Sequence, residues 1–363
     1  MSFRITTNGM FHSYRGNLSR STKNLYDSMT RLQTERYFNS YAEDPAAANR
    51  AFQARRSYWN TGNQIDNSNY LISKFQNGWD SLKSVIGGDV DNPGLDGILE
   101  SLRGITGTAG AGRTSLGQTL LSTAEAIVAA MNARYGDEYI FAGADGLNPP
   151  FSWKTETDND GNVVKKLYYR GYSVDDADPD NEDDAIVKMN KETTLVDIGL
   201  GFRLQVDKDG NLTTEINPAT AYDSSVSGAE ILGFGMDEDG VPMNLVSIMQ
   251  ELGEIFSRCN PDSGSFMQEG DQERAEVLVG KLRSAVGRVQ EQHVKLDGRS
   301  TYLLKNLDQL QDNKLNLNEE IERVERMDMA AAIGDMMWAQ YSYNAALRIG
   351  GNILSQSLFD YLG

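Results

Sequence analysis

Cysteine is almost absent from this chain, and histidine nearly so. The 363 residues include one cysteine, Cys259, and two histidines, His12 and His293. One thiol cannot close a bridge within the chain, and its simplest reading is a small buried side chain. Two histidines cannot build a His-rich metal centre. A nucleophilic triad would need one of them beside a positioned nucleophile. No apolar run reaches the roughly 18 residues of a membrane-spanning helix, so no membrane insertion is expected. The opening residues, Met1-Ser2-Phe3-Arg4-Ile5-Thr6-Thr7-Asn8, lack a basic segment followed by an apolar one, so no cleaved secretory signal is expected. Positive charge is short as well. Lys and Arg total 34 against 52 Asp and Glu, a net charge of −18. Phosphate backbones are held by a surplus of cations, so nucleic acid is not an expected partner. These shortages argue against an enzyme, and no cofactor or metal is expected.

What is present is enough for a core. Hydrophobic residues make up 39% and charged residues 24%, a balance that excludes bulk disorder. At about 100–200 residues per domain the length suggests two or three domains. Charge is unevenly placed along them. Residues 1–60 carry a net +5, and residues 145–270 a net −16. The densest stretch, Asp175 to Asp184, holds seven acids in ten residues. Such a block repels itself and reads as a solvent-facing loop rather than a cation site.

The two flanks have helical texture. Phe11, Leu18, Leu25 and Leu32 recur every seven residues, with Tyr14 and Met29 near complementary positions. That period puts them in one stripe. Asp44-Pro45 reads as an N-cap followed by proline in the first turn, opening a helix that Gly87-Gly88 and Asn92-Pro93 end. A short helix is expected over Leu95 to Ile105, and a longer one over Ser115 to Tyr135. On the C-terminal side, Leu245 to Phe256 reads as a helix. Another begins near Gln272 and carries Leu296, Leu303, Leu307, Leu310, Leu317, Ile321 and Val324. The pattern resumes through Ile333, Met337 and Tyr341, then Leu347, Leu354, Leu358 and Leu362. Helical patterning this long suggests coiled coil.

The middle has strand texture. Val163 to Tyr169 and Phe202 to Val206 read as strands. Asp-x-Asp-Gly occurs at 158–161, 207–210 and 237–240. A calcium-binding EF-hand loop needs its glycine at the sixth position, and here it is fourth, so these read as hairpin turns. Gly107-Thr108-Ala109-Gly110-Ala111-Gly112-Arg113-Thr114 matches a phosphate-binding loop except for Arg113 in place of lysine. The segment before it looks helical and no βαβ pattern surrounds it, so it reads as a link between helices. ATP binding removed by Arg113→Ala would favour a nucleotide-dependent protein instead.

Two flanks far apart in sequence each carry an apolar seam that an isolated helix cannot satisfy in water. The expected fold is therefore mainly α. The N- and C-terminal segments pair as long antiparallel coiled-coil helices, with a β-rich outer domain inserted between them. The expected divisions are a terminal arm of 1–40 with 328–363, a helical body of 41–144 with 245–327, and an acidic insert of 145–244. Even when paired, the arm keeps another apolar side that wants neighbours in a multi-subunit assembly.

Several motifs carry a family resemblance. Phe3-Arg4-Ile5-Thr6-Thr7-Asn8-Gly9-Met10 is similar to the start of the flagellin family. Asn39-Ser40-Tyr41-Ala42-Glu43-Asp44-Pro45-Ala46-Ala47-Ala48 resembles its N-[SR]-x-x-D-D-P-A-A-A turn, with Glu43 for the first Asp. Asn132 to Gly143, which includes Tyr135, Tyr139 and Phe141, resembles its N-x-x-Y-x-x-R-Y-I-F-x-G element, with Glu138 for Arg. Tyr343 to Leu354 followed by Ser357-Leu358-Phe359-Asp360-Tyr361-Leu362 resembles its C-terminal end. Filament flagellins usually lack the D-Y-L ending, so within the family the chain is most similar to members at the hook–filament junction. The resemblance covers about 1–145 and 245–363 and leaves out the middle.

The resemblance implies a non-enzymatic structural subunit. It would leave the cell uncleaved through the flagellar type III apparatus and be placed extracellularly at the hook–filament junction. Its terminal segments would be disordered in the free subunit and ordered on assembly. The implied partners are copies of itself in a ring-like homo-oligomer, the neighbouring hook-associated junction protein, flagellin, and an export chaperone on the C-terminal segment. The expected assembly interface is Phe11, Leu18, Leu25 and Leu32 with Leu347, Leu354 and Leu358. The alternative reading is a filament-forming flagellin with similar packing.

Overall fold

The computed structural model describes residues 7–38, 40–87, 94–105, 112–157, 163–207 and 211–362; the side chains of 7–8, 104–105, 157, 163 and 353–362 lie outside the description. The fold is mainly α, with short antiparallel sheets in the middle. In chain order come helices α1 (Thr7–Thr34), α2 (Pro45–Gly87), α3 (Leu95–Ile105) and α4 (Arg113–Met131). Strands β1 (Arg134–Tyr135), β2 (Glu138–Tyr139), β3 (Phe151–Thr157), β4 (Val163–Tyr169) and β5 (Tyr172–Ser173) follow. Next are α5 (Ala185–Lys191), β6 (Leu195–Val196), β7 (Leu204–Val206), β8 (Leu212–Ile216), β9 (Tyr222–Asp223) and α6 (Gly228–Leu232). The chain closes with α7 (Leu245–Ser257), α8 (Asp271–Glu325) and α9 (Met329–Leu362). Two compact units divide it: Met1–Asn63 with Gln311–Gly363, here the terminal unit, and Gln64–Leu310, the central unit.

Local signals set most helix ends. The Asp44 carboxylate accepts from the Ala47 amide at 2.9 Å, satisfying one of the donors that a helix start leaves free. Asn244 does the same for α7, accepting from Val246 and Ser247. Asp328 caps α9 through the Ala330 amide at 2.9 Å.

The central unit is organised around one apolar cluster. Phe75 and Leu82 of α2, Ile98 and Leu102 of α3, Leu120 of α4, Leu252 of α7, and Leu278, Leu282 and Leu303 of α8 are all fully buried. The cluster continues into Phe141, Phe151, Leu167 and Tyr169 from the middle segment. Helices α4 and α7 cross with their backbones in contact. A methyl group on Gly117 would stand 2.7 Å from the Ser257 amide nitrogen and 2.8 Å from the Gly253 carbonyl oxygen. Only glycine permits that approach.

The sheets are small. β3, β4 and β5 form a three-stranded antiparallel sheet, with Phe151 opposite Tyr169 and Trp153 opposite Leu167. β1 pairs with β2, β6 with β9, and β7 with β8, all antiparallel. The first two Asp-x-Asp-Gly segments join β3 to β4 and β7 to β8, and they run wholly or mostly outside the described residues. The third lies within them: Gly240 has φ +66° and the flanking Met236 and Pro242 bridge antiparallel. Arg299 of α8 ties the β9 segment down, donating to the Ser225 carbonyl at 2.8 Å with its guanidinium 4.5 Å from the Phe75 ring centre.

Two expectations are corrected, and a third holds with one exception. The helix expected to reach Tyr135 stops at Met131. Asn132 turns away to exchange two hydrogen bonds of 3.0 Å with the Phe151 backbone, and Gly136 at φ +60° lets the chain double back as β1–β2. The strand expected from Phe202 begins at Leu204. The acidic block is a loop whose carboxylates are mostly exposed, but Asp175 is half-buried. Burial raises its pKa, and a hydrogen bond to Ser247 opposes the shift.

Candidate assembly surface

The terminal unit presents the surface of interest. In it α1 packs along α9. Arg36 bridges Arg326 in antiparallel register, while Tyr14 lies against Gly350. The two helices therefore run in opposite directions. The half-buried residues of α1 include Phe11, Tyr14, Leu18, Ser21, Leu25, Ser28 and Leu32, at alternating steps of three and four. That spacing makes one seam on a helix.

The matching seam of α9 mixes small residues with two large ones. Ala332 and Gly350 are buried, and Met336, Ala339, Tyr343 and Ala346 half-buried, again at steps of four and three. Small side chains let α1 come close. A methyl group on Gly350 would overlap the Tyr14 side chain.

Away from that seam α9 is apolar and open. Met337, Trp338 and Tyr341 lie across from it and Ile333, Leu347 and Ile349 on its flanks, all exposed, with Trp338 at 71% and Tyr341 at 70%. The Trp338 and Tyr341 rings meet edge to face, 6.3 Å between centres. A helix apolar on both sides is one that expects cover on both sides. Here α1 supplies one side.

The expected interface residues thus fall in different places. Phe11, Leu18, Leu25 and Leu32 lie half-buried on α1 in the seam spacing, and Leu347 is exposed on α9. Leu354 and Leu358 belong to α9, but their side chains lie outside the described residues, as do those of Asp360, Tyr361 and Leu362. Asn39 is outside them altogether. Asp44 caps α2 and Pro45 is its first residue. Sequence reasoning passed over Trp338, although it neighbours Met337 in a stretch already read as helical. The residues of α9 that face α1, Ala332, Met336, Ala339, Tyr343, Ala346 and Gly350, are not the ones its apolar periodicity picks out.

The motif at 132–143 sits in the central unit, and its chemistry is local. Asn132 imitates a strand partner for Phe151. Tyr135 packs its ring 5.4 Å from that of Tyr70, whose pKa burial and the neighbouring Glu138 push up to about 12. Tyr139 lies under the Arg134 guanidinium. Phe141 is fully buried. Gly143 takes φ +69° and donates to the Val226 carbonyl at 3.0 Å. Glu138 forms an ion pair of 3.1 Å with Lys74, whose side chain is 7% exposed. A buried cation needs such a partner.

Other candidate residues are structurally committed. Arg113 is buried, donates to the Gly264 carbonyl at 2.6 Å and lies over the Phe266 ring. Residues 106–111 of the glycine-rich segment are outside the described residues. Cys259 is 3% exposed, and burial raises its thiol pKa. His293 stacks on Trp79, 4.7 Å between ring centres, and burial lowers its pKa. Among the described residues no group of His, Cys, Asp and Glu could hold a metal ion, and no helix is long and apolar enough to cross a membrane.

The class of fold is thus mainly α, built from helices of both flanks of the chain with small antiparallel sheets inserted between them. The same fold occurs in a solved structure described as a putative flagellar hook-associated protein from Vibrio parahaemolyticus. That structure matches with a TM-score of 0.50 and 15% sequence identity, covering 78% of this chain and 100% of that one. No family model and no curated protein matches the sequence.

Proposed function

We propose that this chain is a structural subunit of the bacterial flagellum that joins hook to filament, the role of hook-associated protein 3. The observation that carries the proposal is the open apolar face of α9, behind a seam already satisfied by α1. Burying such a face stabilises by about 25 cal/mol per Å², and neighbouring subunits are the natural cover. The similar fold of the Vibrio structure and the motif resemblances at Asp44-Pro45 and in the C-terminal segment support the flagellar reading. In this role the subunit forms a short ring with its own copies, between the preceding hook-associated protein and flagellin. It leaves the cell uncleaved through type III export, with a chaperone on its C-terminal segment. It works by helix packing and catalyses nothing.

A deletion strain tests the role. Cells lacking the chain should keep intact hooks and shed unattached flagellin into the medium. The wild-type gene should restore filaments, and Met337→Asp with Tyr341→Asp should not, although the secreted variant keeps its central unit folded by circular dichroism. Long filaments grown from the purified chain on seeding would replace the junction role with that of a filament flagellin.

A further inference from the structure

We infer that a second contact between copies joins a stripe of Phe52, Arg56 and Trp59 on α2 to a stripe of Asp312, Leu315 and Glu319 on α8 of the next copy. The inference rests on the reading that the chain assembles with itself. Residues 52, 56 and 59 are spaced four and three apart, and 312, 315 and 319 three and four apart, so each set shares one helix face. Phe52 is 66%, Trp59 70% and Leu315 60% exposed. Two large aromatic side chains one heptad apart on an open helix face are unusual for a surface with no partner. Trp and Arg are also the residues that most often anchor protein contacts.

Both helices already use other faces inside the terminal unit. Arg55 pairs with Glu325, and the Lys314 ammonium lies 5.0 Å from the centre of the Tyr58 ring. Arg56, Asp312 and Glu319 are exposed and enter no ion pair among the described residues.

Charge selects the occupant. Between 45 and 63, α2 carries Arg50, Arg55 and Arg56 and no acid. Between 311 and 325, α8 carries Asp312, Glu319, Glu320, Glu322 and Glu325 against Lys314 and Arg323. An aromatic stripe beside arginine fits a leucine ringed by carboxylates, and opposite charge steers and registers such a contact. One chain holds both halves, so a second copy is the fitting partner. Two different patches meeting head to tail can propagate around a ring.

Disulfide trapping in full-length chains assembled on cells tests this. The buried Cys259 leaves surface thiols as the reactive ones. The double variant Trp59→Cys with Leu315→Cys should oxidise to a ladder of covalent multimers, while each single variant should not. Arg56→Glu should lower incorporation about tenfold or more. Adding Asp312→Lys and Glu319→Lys to it should restore incorporation. Assembled double-cysteine chains that stay single, or that link only within one chain, would overturn the contact while leaving the assembly reading intact. So would undiminished incorporation of Arg56→Glu. A wild-type chain that never joins a cell-bound structure would bring down both.

Discussion

The central and terminal units solve the burial problem in opposite ways. The central unit hides Phe75, Leu82, Phe141, Phe151 and Tyr169 almost completely. Among the described residues of the terminal unit, the buried set is Ala47, Ala51, Ala54, Ala332, Thr61 and Gly350. The first can hold itself together, since apolar burial is the dominant favourable term in folding. The second coheres along a thin seam and keeps its bulky residues, Trp59, Trp338, Tyr341 and Met337, in the open. The terminal unit thus spends its alanines on internal packing and leaves both of its tryptophans on the outside.

The sharpest way to break this contrast is to remove matched side chains from the two units. Phe75→Ala should cost about 3–5 kcal/mol, the range for emptying a packed aromatic site, read as a lower urea midpoint. Leu25→Ala, in the half-buried seam, should leave the central transition where it was. Trp59→Phe and Trp338→Phe in the background leave Trp79 and Trp153 as central reporters. Equal losses from the two variants would erase the distinction.

A smaller effect sharpens the account of the central unit. Gly117→Ala forces α4 away from α7 and should cost about 1–3 kcal/mol, as overpacking does. Gly280 on α8 has nothing within 4 Å of an added methyl. There the same change should be neutral or stabilise by up to about 1 kcal/mol, through helix propensity. Thermal unfolding of the pair measures the difference.

The smallest effect concerns Asp175. Its folded pKa is raised by burial, so the folded state holds its proton more tightly than the unfolded chain does. Stability from this group is fully present below the unfolded value and is lost as pH rises through the folded one. Asp175→Asn should therefore raise the melting temperature slightly at pH 7 and have no benefit near pH 3. A variant that is destabilised equally at both pH values would show that the carboxylate is a needed acceptor.

Much of the helical frame was legible because its punctuation is local. Asp44-Pro45 and Gly87 bound α2 within a few residues of the chain, and Leu95 to Ile105 appears as read. The end of α4 was not legible, since Asn132 is drawn off by Phe151, a partner that only the folded chain brings near. The sheets were legible strand by strand at Val163 to Tyr169, but not as several separate small pairings. At the candidate surface, periodicity located both terminal stripes. It could not say which side of α9 meets α1, because the small residues that permit close approach leave a weak hydrophobic signal. Phe52 and Trp59 were equally hidden, lying off the stripe that pattern reading follows.

The glycine crossing of α4 and α7 has a mechanical consequence. Packed helices ordinarily slide a little past each other by letting the side chains between them shift rotamers. At Gly117 and Gly253 there is no such compliant layer, because main chain rests on main chain. A pull along either rod should pass to the other with little creep, making that crossing a stiff joint.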